Sequence, residues 1–171
     1  MTISNVDLNG IKKIIFDFDG VFTDNTVLID SKGREFLRFS KLDSLGLDIF
    51  KNFVSNHKLE IELVVISQEK NPIVRARCKK LHLQCYQGIS DKLTFISHEL
   101  DLAENSYICF GNDLNDLGAM SKAKISLAPE DAHYRIKEIA SVIIDRRGGE
   151  GFVRAGLEWL MNSVVVNNEG K

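Results

Sequence analysis

The sequence is poor in the features that mark several specialised classes of protein. Its 171 residues include three cysteines and two prolines, and Cys78, Cys85 and Cys109 form no Cys-x-x-Cys pair. An odd number of cysteines without such spacing excludes a disulfide framework and predicts buried, reduced thiols. No apolar run approaches the roughly 18 residues of a membrane helix, and the polar start MTISNVDLNG lacks the apolar core of a signal peptide. We therefore expect a cytoplasmic protein that makes no membrane contact.

An excess of charge of one sign is also missing. Lysine and arginine total 22, aspartate and glutamate total 24, and the formal net charge is −2. The basic residues are scattered among acids, which argues against a nucleic-acid partner and leaves a small molecule as the expected ligand. With 44% hydrophobic residues, the chain can bury the core of a single domain over residues 1–171. We expect its polar end, residues 164–171, to fray.

Short apolar runs alternate with helical patterns along the chain. Asn71-Pro72 predicts the cap and first residue of one helix, Ser90-Asp91 predicts the start of another, and apolar residues four apart predict a helix near 42–56. This alternation is typical of an α/β fold with a doubly wound, mostly parallel sheet and helices on both faces. The predicted strands are residues 11–16, 61–66, 83–86, 106–110, 124–128 and 141–145.

One segment interrupts the alternation. TVLIDSKGREFLRF, residues 26–39, predicts two strands around an Asp-Ser-Lys-Gly turn, which makes a β-hairpin flap directly after the first strand. No other region is long enough to form a separate cap domain. The hairpin either buries its apolar residues against partner subunits or folds onto the core of its own chain. Those residues are Val27, Leu28, Ile29, Phe36, Leu37 and Phe39.

Side chains that could take part in catalysis follow the predicted strands. In IIFDFDGVFTDN, residues 14–25, Asp17 and Asp19 end the first strand, and side chains two apart point to the same side. Ser67 ends the second run, Lys92 begins the helix after LQCYQG, and GNDLND, residues 111–116, follows SYICF. Because ligands bind beyond the carboxyl ends of parallel strands, we expect these groups to meet there. A hydroxyl, an amine and a cluster of acids and amides favour phosphoryl transfer.

The segment Asp17-Phe18-Asp19-Gly20-Val21-Phe22-Thr23 resembles DxDGxxT/V, the first motif of the haloacid dehalogenase superfamily. The chain is most similar to its capless subfamily of KDO 8-phosphate and KDN 9-phosphate phosphatases, which act on 2-keto-3-deoxy sugar acids. DGVFTD, the following hairpin, VRARCKKL, YQGISDKL, GNDLND and RRGGEGFVR all match that subfamily, and the likeness extends over about residues 11–160. A related domain occurs in acylneuraminate cytidylyltransferases, sometimes without evident catalytic competence.

The resemblance implies a role for each of these side chains. Asp17 would be the nucleophile that forms an aspartyl phosphate, and Asp19 would protonate the leaving sugar oxygen and then activate water. Ser67 and Lys92 would hold the phosphoryl oxygens. The implied cofactor is Mg²⁺, which prefers oxygen ligands, and the implied assembly is a homotetramer whose subunits wall off each other's sites. The candidate metal ligands are Asp17, the backbone carbonyl of Asp19, Asn112, Asp113 and Asp116.

Two positions depart from the family pattern. Asn112 stands where the family has an acid that binds the metal directly, and Ser67-Gln68 replaces the common Thr-Gly. A missing charge about 4 Å away is worth ~1 kcal/mol in water and ~4 kcal/mol at an effective dielectric near 20. Metal affinity would therefore fall by roughly tenfold to a thousandfold unless Asp113 or Asp116 compensates. Gln68 adds bulk where the phosphate would lie.

The sequence leaves the length of the sugar open between eight and nine carbons. Glu69 and Lys80 match the pattern of the nine-carbon enzymes and favour that substrate, whereas the eight-carbon enzymes tend to have arginine in place of Glu69. A basic side chain is expected to meet the sugar's carboxylate, and Arg75, Arg77 and Lys80 are the candidates. The predicted substrate-binding residues are Ser67, Gln68, Glu69, Arg77 and Lys80.

Three other functions compete with this interpretation. A non-catalytic oligomerisation domain related to the cytidylyltransferases would explain Asn112 and Gln68, although the retained Asp17, Asp19 and Lys92 argue against it. A broad sugar-phosphate phosphatase is the second. A signalling receiver domain would need its phosphoacceptor aspartate after the third strand, where this chain has Gln87-Gly88.

Overall fold

The computed structural model describes residues 6–164. The tail that is predicted to fray, residues 164–171, lies outside the described residues except for Val164, which forms a parallel bridge with Val6. Across residues 6–164, no helix combines the length and the apolar character that crossing a bilayer requires.

A parallel six-stranded sheet forms the centre of the fold, with strand order β5-β4-β1-β6-β7-β8. The central strands are mostly apolar because helices cover both faces of the sheet. This confirms the predicted doubly wound α/β fold, with no cap domain in the described chain. The strands are β1 (Lys13–Phe16), β2 (Leu28–Ile29), β3 (Glu35–Phe36), β4 (Glu62–Ser67), β5 (Gln84–Gln87), β6 (Tyr107–Phe110), β7 (Ile125–Pro129) and β8 (Val142–Ile144).

Helices on the two faces bury two separate apolar clusters. Alternate residues of β1 serve both, because Ile14 and Phe16 enter one cluster and Ile15 enters the other. Asn71 caps the second helix as predicted, since its side chain accepts a hydrogen bond from the Ile73 amide at 3.0 Å. The helices are α1 (Lys41–Asn56), α2 (Pro72–Lys80), α3 (Lys92–Thr94) with a π-helical turn (Phe95–Glu99), a 3₁₀ turn (Leu114–Asp116), α4 (Leu117–Lys122), α5 (Tyr134–Ile139) and α6 (Phe152–Ser163).

The strand order reverses direction beside β1. After β1 the chain builds β4 and β5 on one side, and it then crosses to add β6, β7 and β8 on the other side. A crevice opens at such a switch point, outside the carboxyl ends of the strands. The sheet therefore presents the residues that follow β1, β4 and β6 at one place.

The hairpin after β1 forms as predicted, but its paired strands are only two residues long each. Asp30 closes the turn, because its side chain accepts hydrogen bonds from the amides of Lys32 and Arg34, each at 2.9 Å. The hairpin divides its apolar residues between solvent and core. Val27, Leu28, Ile29 and Phe36 are exposed, whereas Leu37 and Phe39 are partly buried and pack on the core of their own chain, as the second of the two alternatives expects.

Helices α1 and α6 approach closely around a buried carboxylate. Gly46 permits the approach, since a Cβ atom there would lie 2.7 Å from the Cα atom of Arg154. Asp43 is fully buried, and its Oδ1 accepts a hydrogen bond from the Arg154 amide at 3.0 Å. Its Oδ2 has no hydrogen-bond partner among the described residues. Burial raises the pKa of Asp43 to about 6, and the Arg154 amide and the nearby Arg77 charge offset only part of that effect.

This carboxylate predicts a pH-dependent contribution to stability. Because its pKa in the folded chain lies above the ordinary 3.8, the contribution is fully present below pH 3.8 and is lost as pH rises through about 6. The unfolding free energy of the wild type, relative to that of Asp43→Asn, should fall by roughly 2 to 3 kcal/mol between pH 4 and 7. Urea denaturation at both pH values measures this difference. The exposed Asp48→Asn is the control, and a pH-independent difference for Asp43→Asn contradicts the prediction.

Candidate active site

The polar side chains predicted to meet do converge at the carboxyl edge of the sheet. Asp17 directly follows β1, and its amide donates to the Phe110 carbonyl at 2.9 Å, which extends the pairing with β6 by one residue. Ser67 is the last residue of β4, and Asn112 lies two residues beyond β6. Lys92 begins α3. Each side chain is thus placed by a buried strand end or a helix start, and the backbone holds them together.

Lys92 connects two of the strand ends. Its Nζ lies 2.6 Å from Oδ1 of Asp17 and 2.6 Å from Oδ1 of Asp116, and the side chain is 3% exposed. Burial alone would lower the pKa of Lys92, but the two carboxylates outweigh burial and raise it above its ordinary value. The amine therefore remains an ammonium, and it fixes the distance between the carboxylates.

Asp17 carries a perturbed carboxylate. Burial and the charge of Asp116 raise its pKa to about 7, against the opposing influence of Lys92. Three buried charged groups, two negative and one positive, leave a net negative charge at this place. An additional cation would balance that charge and favour the ionised form of Asp17, which is the form that can act as a nucleophile.

Asp19 occupies a different environment from Asp17. Its Oδ1 lies 3.5 Å from the Thr23 hydroxyl, which in turn accepts hydrogen bonds from the amides of Gly20 and Asn25. Burial raises the pKa of Asp19, and the charge of Glu69 raises it further. A carboxyl group that retains its proton more readily suits a general acid.

The two aspartates of the GNDLND loop make different contacts. Asp116 is buried, and its Oδ2 accepts from the amide of Asn112 at 2.9 Å while Oδ1 meets Lys92. Asp113 caps the 3₁₀ turn, since its side chain accepts from the Leu114 amide at 2.7 Å. The Oδ1 atom of Asn112 is buried and has no hydrogen-bond partner among the described residues. This amide lies against Gly20, so one buried oxygen beside the turn that carries Asp19 has no hydrogen bond among the described residues.

That orphaned oxygen provides a test of whether the residues fit a metal ion. In the described chain no three His, Cys, Asp or Glu side chains form a metal-binding group. The side-chain amide of Asn112, however, can also offer an oxygen to a metal ion. A buried acceptor without a donor is costly unless an ion or another partner satisfies it. The oxygens of Asp17, Asn112 and Asp116 are the hard donors that Mg²⁺ takes. The site therefore fits a small divalent cation, with Asn112 in place of an acid.

The RRGGEG segment supports the turn that carries Asp19. Gly148 lies against this turn so closely that a Cβ atom there would come within 2.1 Å of the Gly20 carbonyl oxygen. The amide of Gly149 donates to the Val21 carbonyl at 3.2 Å. Gly148 is also held from the other side, because its amide donates to Asp131 at 3.1 Å. The segment fixes the backbone of the first motif.

A cavity of about 400 Å³ opens over these residues. Asp19, Ser67, Gln68 and Glu69 line it as predicted, whereas Lys70 and Asn115 were not predicted. Spacing alone gave no signal for Lys70, but Asn115 lies within GNDLND and was open to inference. The full lining is Asp17, Asp19, Ser67, Gln68, Glu69, Lys70 and Asn115.

The other two predicted substrate-binding residues lie elsewhere in this chain. Arg77 donates to the Ser44 hydroxyl at 2.9 Å, and its guanidinium carbon lies 5.0 Å from the centroid of the Phe39 ring. Lys80 is the last residue of α2, eight residues after Pro72 and hence roughly 12 Å along the helix axis from the start of that helix. Neither side chain lines this cavity.

Comparisons with known proteins agree with this geometry. Residues 47–155 match the family model of the haloacid dehalogenase-like hydrolases. The chain is also similar to the 3-deoxy-D-manno-octulosonate 8-phosphate (KDO 8-phosphate) phosphatase of Salmonella typhi, with 32% identity over 165 residues. That alignment covers 94% of this chain and 85% of the relative.

Solved structures show the same fold. The KDO 8-phosphate phosphatase of Moraxella catarrhalis, solved with a magnesium ion, a phosphate ion and KDO, has a TM-score of 0.81 and 27% identity. The similarity covers 92% of this chain and 89% of that one. The cobalt-bound enzyme of Haemophilus influenzae has a TM-score of 0.78 and 26% identity, over 91% of this chain and 90% of that one. The chain therefore belongs to the haloacid dehalogenase-like hydrolase family.

Proposed function

We propose that this protein is a Mg²⁺-dependent phosphomonoesterase that hydrolyses KDO 8-phosphate through an aspartyl-phosphate intermediate. The observation that carries the proposal is the buried ion pair of Lys92 with Asp17 and Asp116, beside Asp19 and Ser67 on one cavity. The names of the relatives support the choice of substrate. The free thiols of Cys78, Cys85 and Cys109 are consistent with the reducing environment of the cytoplasm.

Asp17 and Asp19 divide the chemistry between them. Asp17 attacks phosphorus and forms the aspartyl phosphate, while the bond from phosphorus to the sugar oxygen breaks and Asp19 gives that oxygen its proton. Asp19, now ionised, takes a proton from water, and the resulting hydroxide attacks phosphorus and releases Asp17. Lys92 and the Ser67 hydroxyl hold phosphoryl oxygens in place.

Asp17, the Asp19 backbone carbonyl, Asn112 and Asp116 would hold the metal ion. A divalent cation bound there supplies positive charge to the transferring phosphoryl group. The raised pKa of Asp17 supports this assignment, since the described carboxylates exceed Lys92 in charge. Asp113 is the weakest of the predicted ligands because its carboxylate caps the following turn.

The proposal also specifies the number of carbons in the sugar. We favour the eight-carbon substrate because the relatives carry its name. A nine-carbon acid phosphate such as KDN 9-phosphate, which Glu69 favours, is the alternative. Phosphate release from both compounds, measured side by side with Mg²⁺, decides between them. No release from either would favour the non-catalytic oligomerisation domain, and equal release from unrelated sugar phosphates would favour the broad phosphatase.

Replacement of the nucleophile predicts loss of activity without loss of the fold. Asp17→Asn should lower kcat about a thousandfold or more, because the amide cannot form the aspartyl phosphate. Its melting temperature should equal or exceed that of the wild type, since a crowded buried charge is removed. Phosphate-release assays and thermal denaturation measure both effects, and the exposed Asp48→Asn is the control. Activity near the wild-type level in Asp17→Asn would refute the assignment.

We predict that an acid in place of Asn112 tightens metal binding. Asn112→Asp should raise the affinity for Mg²⁺ by roughly tenfold to a thousandfold, because it adds a negative charge next to the ion. Without metal the same variant should melt at a lower temperature, since a further carboxylate joins Asp17 and Asp116. Calorimetric titration and the Mg²⁺-dependent shift of the melting temperature measure this. Asn52→Asp, an exposed change of equal charge, should shift neither, and unchanged affinity in Asn112→Asp would remove Asn112 from the ligand set.

We further propose that the protein is a homotetramer assembled through the exposed side of the hairpin. Val27, Leu28, Ile29 and Phe36 present apolar surface to solvent, with Leu28 68% exposed. Ile29→Lys should convert the tetramer to smaller species, because it places a charge in the apolar contact. Light scattering coupled to size exclusion measures the mass, and Lys32→Glu at the exposed hairpin turn is the control. A monomeric wild type would contradict the proposal.

A further inference from the structure

The turn that carries Asp19 has few anchors of its own. Residues 17–27, between β1 and β2, contain no helix or strand. The Asp19 carboxylate has one hydrogen-bonding partner among the described residues, the Thr23 hydroxyl at 3.5 Å. A hydrogen bond of this length holds a side chain only weakly. The direction of the Asp19 carboxyl group therefore depends on whatever fixes the backbone of its turn.

Two segments that are remote in sequence meet this turn at Gly20. A Cβ atom at Gly20 would lie 2.0 Å from the side-chain nitrogen of Asn112, and a Cβ atom at Gly148 would lie 2.1 Å from the Gly20 carbonyl oxygen. The next residue, Gly149, is also in contact, because its amide donates to the Val21 carbonyl at 3.2 Å. The turn therefore takes its position from the segments that contain Asn112 and Gly148.

Asp131, in the loop after β7, holds the segment that contains Gly148. Its Oδ1 accepts a hydrogen bond from the Gly148 amide at 3.1 Å, and its Oδ2 lies 3.4 Å from Nε of Arg147. Because the ion pair with Arg147 is largely exposed, it contributes little. The hydrogen bond from an amide to a charged carboxylate is stronger than one between neutral groups. The contact with Gly148 is therefore the one by which Asp131 holds the segment.

The loop of Asp131 is itself fixed on both sides of that residue. The amide of Glu130 donates to the Arg146 carbonyl at 3.0 Å, and the amide of His133 donates to the Asn112 carbonyl at 2.9 Å. Asp131 does not line the catalytic cavity. It can therefore influence the reaction only through the residues that it holds.

We propose that Asp131 is a positioning residue that aims Asp19 at the leaving oxygen of the substrate, acting through Gly148 and the turn at Gly20. The inference rests on the proposed phosphatase function and deepens it, because it assigns the alignment of the general acid to a residue outside the cavity. It concerns one step, in which Asp19 gives its proton to the sugar oxygen while the bond from phosphorus to that oxygen breaks. A leaving group that departs readily as an anion does not need this proton. The demand on Asp19, and hence on Asp131, therefore depends on the leaving group.

Two substrates with different leaving groups test the proposal. The alcohol oxygen of KDO 8-phosphate requires protonation as it leaves, whereas p-nitrophenyl phosphate releases a stable phenolate. Asp131→Ala should lower kcat/KM for KDO 8-phosphate about tenfold to a hundredfold, because a displacement of about 1 Å can cost that much, and should change kcat/KM for p-nitrophenyl phosphate by less than about threefold. This parameter covers the steps up to release of the leaving group, so the later hydrolysis of the aspartyl phosphate does not enter. An equal loss with both compounds, or no loss with either, overturns the proposal.

Three further variants separate positioning from a general structural effect. Asp131→Asn keeps an oxygen that can accept from Gly148, so it should recover most of the lost activity. Glu130→Ala removes an exposed acid from the neighbouring position and should change neither value of kcat/KM. In Asp19→Asn, the addition of Asp131→Ala should cost nothing more with KDO 8-phosphate, because no acid is left to aim. Fully additive losses would contradict the proposal.

Amide hydrogen exchange, measured by mass spectrometry, tests the same contact without turnover. Asp131→Ala should speed exchange in peptides that cover residues 18–24 and leave the exchange of β6 unchanged. Unchanged exchange over residues 18–24 overturns the proposal, and this result decides if the wild type hydrolyses only one of the two compounds. If the wild type is active on both but the selective loss is missing, the inference fails and the phosphatase function stands. If the wild type hydrolyses neither compound, the phosphatase function fails, and the role of Asp131 in proton transfer fails with it.

Discussion

The buried contact of Lys92 with Asp17 and Asp116 is the constraint on which the rest of the site depends. Burying three charged groups is costly, and the cost is tolerable only when the partners are held at hydrogen-bonding distance. The parallel sheet provides this, because β1 and β6 are neighbours whose ends cannot separate without breaking the central pairing. The excess negative charge that remains explains why the site fits a cation.

The sequence predicts the structure correctly wherever burial alone determines which segments form strands. The apolar runs of β1, β4 and β6 must be central strands, and the residues after them must therefore lie at the carboxyl edge. The contacts of individual side chains could not be predicted from the sequence. Arg77 stacks on Phe39 and Asp113 caps a turn because of loop geometry, which no periodicity records. Lys70 follows no motif, and only the folded chain places it on the wall of the cavity.

The two departures from the family pattern differ in how strongly they affect the site. Gln68 lies on the wall of an open cavity, where a longer side chain can turn toward solvent. Asn112 is buried, and its amide donates to the buried carboxylate of Asp116. Because two carboxylates there already share one ammonium, a neutral side chain eases repulsion in the metal-free protein. As a proposed ligand, it would also attract the ion less strongly than an acid, so stability without metal and affinity for metal would be opposed at this residue.

The contact between Gly148 and the Gly20 carbonyl joins residues that are far apart in the sequence. During synthesis the turn with Asp17 and Asp19 leaves the ribosome before strands β4 to β8, whereas the segment that braces it follows β8. The nascent chain therefore carries both aspartates without this brace until RRGGEG has been made. A chain that ends before RRGGEG would retain Asp17, Asp19 and Lys92 and still lack the support for the turn that carries Asp19.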